Sequence, residues 1–147
     1  MRLNLQTDFE LRSLMHLAIN TDRRVTIAEI SESFGISRNH LMKVALTLSH
    51  EGFILTERGR AGGLRLARPA SDIQVGDVVR RMEGSAALVE CFPGGADRCH
   101  ISPTCRLRGA LAVAMEAFFA SLDTCSIADL VNDNTALRKM LAIGEPA

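Results

Sequence analysis

The stretch CFPGGADRCHISPTC places Cys91, Cys99 and Cys105 within fifteen residues. Pro93, Gly94, Gly95 and Pro103 break any regular element between them, so the thiols belong to a loop, assigned here to residues 84–106. Thiolates are soft ligands for zinc and iron–sulfur centres, and paired thiols can also form a disulfide. The spacing Cys-x7-Cys-x5-Cys is looser than the Cys-x2-Cys knuckles of structural zinc sites. Three thiolates also leave a metal or cluster one protein ligand short. Cys125, about twenty residues further on, and His100, next to Cys99, are the candidates that the residues themselves offer. As a lone cysteine, Cys125 also reads as a small buried hydrophobe. A cluster, a zinc site completed by His100, a thiol–disulfide switch and a set of uninvolved thiols all remain open on spacing alone.

The 147-residue chain is 47% hydrophobic and contains neither Trp nor Tyr, a composition that fits a largely helical domain with a real core. No apolar run approaches the roughly 20 residues that cross a bilayer, and the charged N-terminus does not read as a secretory signal. The expectation is a cytoplasmic protein without a membrane partner, in which clustered cysteines mean metal or redox chemistry more often than structural disulfides. Net charge is zero, but its distribution is uneven. Residues 36–68 carry Arg38, Lys43, Arg58, Arg60, Arg65 and Arg68 against Glu51 and Glu57, a local positive excess suited to an anionic partner.

The elements around this segment are those of a DNA-binding plan. Thr7-Asp-Phe-Glu10 reads as a capping box opening a helix to about Asn20, with Leu11, Leu14, Met15 and Ala18 as its apolar stripe. Thr26-Ile-Ala-Glu29 repeats the box and opens a short helix to about Phe34. Gly35 then turns the chain and Ser37 caps a third helix to about Glu51. In that helix Leu41, Val44, Ala45 and Leu48 share one face, leaving Arg38, Asn39, His40 and Lys43 outside. This is a helix-turn-helix, whose second helix can enter the major groove. Residues 53–58 and 64–67 alternate around Gly59-Arg-Ala-Gly-Gly63 and read as a hairpin, a wing bearing Arg58, Arg60 and Arg65 toward phosphates. Candidate DNA contacts are therefore Thr26, Ser37, Arg38, Asn39, His40 and Lys43, together with Arg58, Arg60 and Arg65 of the wing. Arg and Asn can read guanine and adenine edges bidentately.

Beyond the wing, Ser71-Asp-Ile-Gln74 predicts a helix to about Met82, and a long helix runs from about Pro103 to Leu122. Its stripe of Leu107, Leu111, Ala114, Met115, Phe118, Phe119 and Leu122 is wider than one small domain easily covers, which predicts a homodimer, packing within its own chain being the alternative. Ser126-Ile-Ala-Asp129 starts a further helix. The mainly α architecture thus divides into a winged helix-turn-helix domain over 1–83, the cysteine loop, a dimerisation region over 103–135, and a flexible tail over 136–147. No phosphate loop, nucleophile motif or HExxH is present, so no enzyme is expected.

Taken together, these segments resemble the Rrf-two family of bacterial winged-helix regulators, and within it the NsrR-type nitric-oxide-sensing repressors. The likeness runs from Met1-Arg-Leu and Thr7-Asp-Phe, through Ile36-Ser-Arg-Asn-His-Leu and Arg60-Ala-Gly-Gly-Leu-Arg-Leu-Ala67, to Cys105-Arg-Leu-Arg-Gly-Ala-Leu and Ile127-Ala-Asp-Leu. The resemblance implies a homodimer that binds a palindromic operator in double-stranded DNA and carries a [4Fe–4S] cluster, alternatively [2Fe–2S], which protein handled in air can lose. It further implies that Cys91, Cys99 and Cys105 hold the cluster, that Asp8 of the partner chain completes it, and that nitric oxide is the effector. Asp8 equally suits the first turn of a helix without any metal. Where IscR-like relatives have a histidine three residues past the last cysteine this sequence has Arg108, and its first cysteine gap is longer than in several NsrR-like sequences.

Overall fold

The computed structural model describes residues 3–84, 87–96 and 98–142. Positions 85, 86 and 97 of the expected loop and 143–147 of the expected tail lie outside the described residues. Among the described residues, seven α-helices and one antiparallel hairpin follow in order: α1 (Leu5–Ile19), α2 (Ile27–Phe34), α3 (Arg38–His50), β1 (Ile54–Glu57), β2 (Gly63–Leu66), α4 (Val75–Glu83), α5 (Arg106–Asp123), α6 (Ile127–Val131) and α7 (Thr135–Leu141).

The helix-turn-helix forms as its capping residues dictate. Thr26 Oγ1 accepts from Glu29 N while the Glu29 carboxylate reaches back to Thr26 N, closing the capping box at α2. Gly35 ends α2 with φ at 65°, the left-handed conformation that glycine adopts without steric cost, and Ser37 Oγ accepts from His40 N to start α3. Leu41, Val44, Ala45 and Leu48 are all buried, as their spacing predicts. In the hairpin Ile54 faces Leu66 and Glu57 faces Gly63. Val25 adds two bonds to its edge, its N donating to Leu64 O at 3.0 Å and its O accepting from Leu64 N at 2.7 Å.

Four expectations are corrected. Thr7 and Glu10 are not a capping box: α1 begins three residues earlier, with Asn4 accepting from Gln6 N. Thr7 and Glu10 lie in its buried side instead, where the Thr7 hydroxyl donates to Glu83 at 2.5 Å. Ser71 does not open α4. Residues Ala70–Asp72 form one 3-10 turn, Ile73 is extended and fully buried, and the helix starts at Val75. Pro103 belongs to a second 3-10 turn, Ser102–Thr104, and α5 starts at Arg106. Residues 136–141, expected within a flexible tail, instead form most of α7. Its Leu141 is buried and accepts a 3.0 Å bond from Asn20 Nδ2 on α1.

After α5 the chain returns to the winged-helix core. Ile127 and Val131 of α6 enter the main core, and Ile127 N donates to Ile73 O at 2.9 Å. The C-terminal end of α5 is tied to α4 by a two-pronged Arg80–Asp123 pair at 3.0 and 2.6 Å, with the Arg80 guanidinium 4.8 Å over the Phe119 ring. Gly76 allows the close approach, since a Cβ there would meet Asp123 Oδ1 at 2.0 Å and Asp123 N at 2.9 Å. Gly76→Ala should therefore push α5 off α4 and cost about 1–3 kcal/mol, read as a lower urea midpoint.

His16 is fully buried between α1 and α2. Ser33 Oγ donates to Glu29 O at 3.0 Å, so it accepts from His16 Nε2–H at 3.0 Å, leaving Nδ1 as acceptor for Asn20. Burial holds the imidazole below its ordinary 6.5, with Glu29 opposing. The unfolded chain therefore takes up a proton near pH 6.5 that the folded chain resists. Stability should be flat above that pH and fall as the pH drops below it, down to the folded-state value. Denaturant titrations across this range check the sign, and a His16→Gln variant should show a shallower slope.

Candidate cofactor and nucleic-acid sites

The cysteine loop folds as a chain of tight turns. Phe92 N donates to Val89 O, Gly95 N to Phe92 O, Ser102 N to Cys99 O and Cys105 N to Ser102 O. Gly95 passes so close to Glu90 that a Cβ would fall 2.3 Å from the Glu90 carbonyl oxygen, which explains one of the two glycines. The turns bring Cys91, Cys99 and Cys105, all free and half-buried, onto the wall of one cavity of about 210 Å³. Val89, Ile101, Leu107 and Leu111 supply its apolar lining, and Glu90 and Arg108 complete it.

The donor set can be tested against the group it is expected to hold. Among the described residues no three His, Cys, Asp or Glu side chains converge on one metal ion. Tetrahedral zinc at about 2.3 Å from each sulfur would draw the thiols to within about 3.8 Å of one another. The three thiols that line the cavity are soft ligands of the kind that iron–sulfur centres take. The helix end points the same way. Cys105 is the N-cap residue of α5, no side chain caps that end, and its first turn holds Arg106 and Arg108 with no acid. Cations at a helix N-terminus oppose the helix dipole, whereas an anion there satisfies both the dipole and the arginines.

The proposed fourth ligands are distributed differently. Cys125 lies beyond the far end of α5, an 18-residue helix about 27 Å long, and cannot complete a site at Cys105 of its own chain. Its thiol instead packs against the core and donates to Ser126 O at 3.7 Å. His100 is exposed and is not part of the cavity lining. Asp8 sits in the first turn of α1, paired with Arg12 at 2.7 Å, and does not line this cavity either. Its neighbours are tied down: Gln6 Nε2 donates to Thr47 Oγ1 of α3 at 3.2 Å, and Thr7 bonds Glu83 of α4. Glu10, next along, is buried, and that burial raises its carboxyl above the ordinary range despite the bond from Gln6.

The basic segment resolves into two groups. Arg38, Asn39, Lys43, Arg58 and Arg60 are exposed, and their side chains make no hydrogen bond or ion pair with other described residues. Arg65 pairs with Glu57 at 3.4 Å, while Arg68 reaches toward Asp77 at 3.8 Å and lies 5.1 Å over the Phe53 ring. These two hold the wing together. His40 leans toward α1, its ring 6.1 Å from that of Phe9. Thr26 and Ser37 spend their hydroxyls on capping, which leaves the ends of α2 and α3, rather than the side chains alone, to meet a phosphate. Sequence reasoning missed Arg24, which pairs with Glu57 at 2.5 Å and donates to Ala61 O at 3.3 Å, bracing the wing. The Arg23-Arg24 pair just before the α2 cap was the available signal. Arg12, four residues after Asp8, was missed as well.

The long helix has no buried residue. Phe118, Phe119 and Leu122 lean on the core of their own chain, while Leu107 and Val113 are 65% and 71% exposed. The expected apolar stripe is thus covered only toward its C-terminal end.

The whole arrangement is similar to several solved structures. T. potens IscR is 22% identical, with 99% of this chain and 94% of that one covered and a TM-score of 0.74. The oxidized form of Staphylococcus aureus CymR is 24% identical over 90% of this chain and 97% of that one, with a TM-score of 0.69. CymR, the global cysteine regulator of B. subtilis, is 20% identical over 89% of this chain and 96% of that one, with a TM-score of 0.68. At these identities the likeness establishes a shared winged-helix fold. The family follows from a model described as an iron-dependent transcriptional regulator, which matches residues 3–133. This chain belongs to the Rrf2, or Rrf-two, family of transcriptional regulators.

Proposed function

We propose that this regulator is a homodimeric repressor whose hold on a palindromic operator depends on an iron–sulfur cluster that responds to nitric oxide. The observation that carries the reading is the shared cavity of Cys91, Cys99 and Cys105 under an uncapped helix end with two arginines. These three thiols would hold a [4Fe–4S] cluster, and Asp8 of the partner subunit would complete it. Such a cluster supplies electron-rich iron that binds nitric oxide, most readily at the iron with the oxygen ligand.

The chain's own contacts carry the signal from there. Asp8 lies on the turn of α1 that Gln6 bonds to α3 and Thr7 bonds to α4. Tethering Asp8 to a neighbouring subunit therefore sets where the recognition helix stands. Releasing it lets α1, and with it α3, settle differently in the two halves of the dimer. Half-site reading depends on that spacing. The exposed apolar residues of α5 support the homodimer.

Protein purified without oxygen should absorb broadly near ~400 nm, hold iron and sulfide, and bleach with nitric oxide. Cys91→Ser and Cys99→Ser should abolish the iron, and Asp8→Ala should make it labile. Operator affinity should fall at least about tenfold on cluster loss, equivalent to about 1.4 kcal/mol. Equal operator binding by loaded and apo protein would rule out cluster control. A disulfide switch, suggested by three reduced thiols around one cavity, predicts instead a colourless protein whose serine variants stay locked in the reduced state.

The unpaired wing residues yield a separate expectation. Arg58→Gln and Arg60→Gln should each weaken binding to all duplexes alike and reduce the log–log salt slope by about 1. Arg65→Gln, already engaged with Glu57, should change the slope less. Fluorescence anisotropy over a salt series measures all three.

A further inference from the structure

Two apolar side chains stand on the outward face of α3 with no packing to explain them. Met42 is 59% exposed and Leu46 is 73% exposed. Leu41, Val44, Ala45 and Leu48 turn the opposite face into the core. At 3.6 residues per turn, Asn39 and Leu46 fall near the centre of the outward stripe, with Met42 on one flank and Lys43 on the other. An exposed apolar pair at i, i+4 in the middle of a solvated helix face gains nothing by itself. Its surroundings identify what covers it. Arg38 and Lys43 on the same helix, and Arg58 and Arg60 on the wing, are cationic and without internal partners among the described residues. That frame fits a polyanion, and the apolar feature a DNA duplex presents in its major groove is the C5-methyl group of thymine.

We propose that Met42, with Leu46 one turn further on, packs against thymine methyl groups and makes this regulator select A·T pairs at the centre of each half-site. The proposal rests on α3 lying in the major groove and adds which bases it favours. Asn39 suits the adenine edge of a neighbouring pair, to which its amide can bond bidentately. From Asn39 to Leu46 the helix rises about 10.5 Å, close to three base steps of about 3.4 Å, so the three side chains address adjacent pairs.

The test begins with duplexes selected from a random library by the full chain purified without oxygen. Each thymine of the selected half-site is then replaced in turn by deoxyuridine, which lacks only the methyl group. The wild type should lose about three- to fivefold in affinity at one or two positions. Met42→Ala should bind the thymine duplex correspondingly less tightly and no longer distinguish thymine from uracil at one of them, with an unchanged salt slope. Met42→Gln, which keeps the length and helix propensity of the side chain, should behave like Met42→Ala, and matching thermal melts would exclude misfolding. Equal wild-type binding to every uracil duplex would overturn the proposal while leaving α3 as the DNA-reading helix. Failure to enrich any duplex would remove the DNA reading and this proposal together.

Discussion

The burial of Thr7, Glu10, Ser13, Leu14, His16, Leu17 and Ala18 leaves α1 with little free surface, and the rest of the molecule is arranged around that fact. α3, α4, β2, α6 and α7 all pack against it. Several of its contacts are polar and directional: Gln6 to Thr47, Thr7 to Glu83, His16 to Ser33 and Asn20 to Leu141 O. Polar contacts buried in this way tolerate little sliding, because breaking one leaves a desolvated group without a partner. A helix held like this transmits displacement rather than absorbing it. Within that first turn Thr7 is buried while Asp8 is half-buried beside Arg12.

The second constraint is the return of the chain. After α5 the backbone re-enters the DNA-binding domain through Ile127 and Val131, and the Arg80–Asp123 pair clasps the end of the helix against α4. α5 is therefore anchored at its C-terminal end, while the end that carries Cys105 and Leu107 projects from the domain. α6, which lies within the expected dimerisation region 103–135, shares the core of α1–α4.

Much of this was legible in the residues. The capping box at Thr26, the left-handed Gly35, the Ser37 cap and the alternating hairpin are local signals, and local hydrogen bonding decided them. The inward set of α3 followed from helical period alone. The misreadings share a cause. Thr7-x-x-Glu10 and Ser71-x-x-Gln74 match the capping pattern, but tertiary burial assigned Thr7 to Glu83 and placed Ile73 in the core. The tail read as flexible because its ties are long-range, Leu141 to Asn20 joining residues 121 apart. The cavity shared by three thiols could not be read from spacing either, because turns within the loop, including the close pass at Gly95, set where each sulfur faces.

That loop closes on itself through bonds of short sequence range and hangs between two helices whose distant ends are already pinned. Its length is thus uncoupled from the architecture of the DNA-binding domain. Residues can be gained or lost there without moving a cap, a strand register or a core side chain. Such a joint is an interchangeable cartridge in the architectural sense: one surface segment can change length while the core around α1 stays as it is. The wide first cysteine gap of this sequence is one such length.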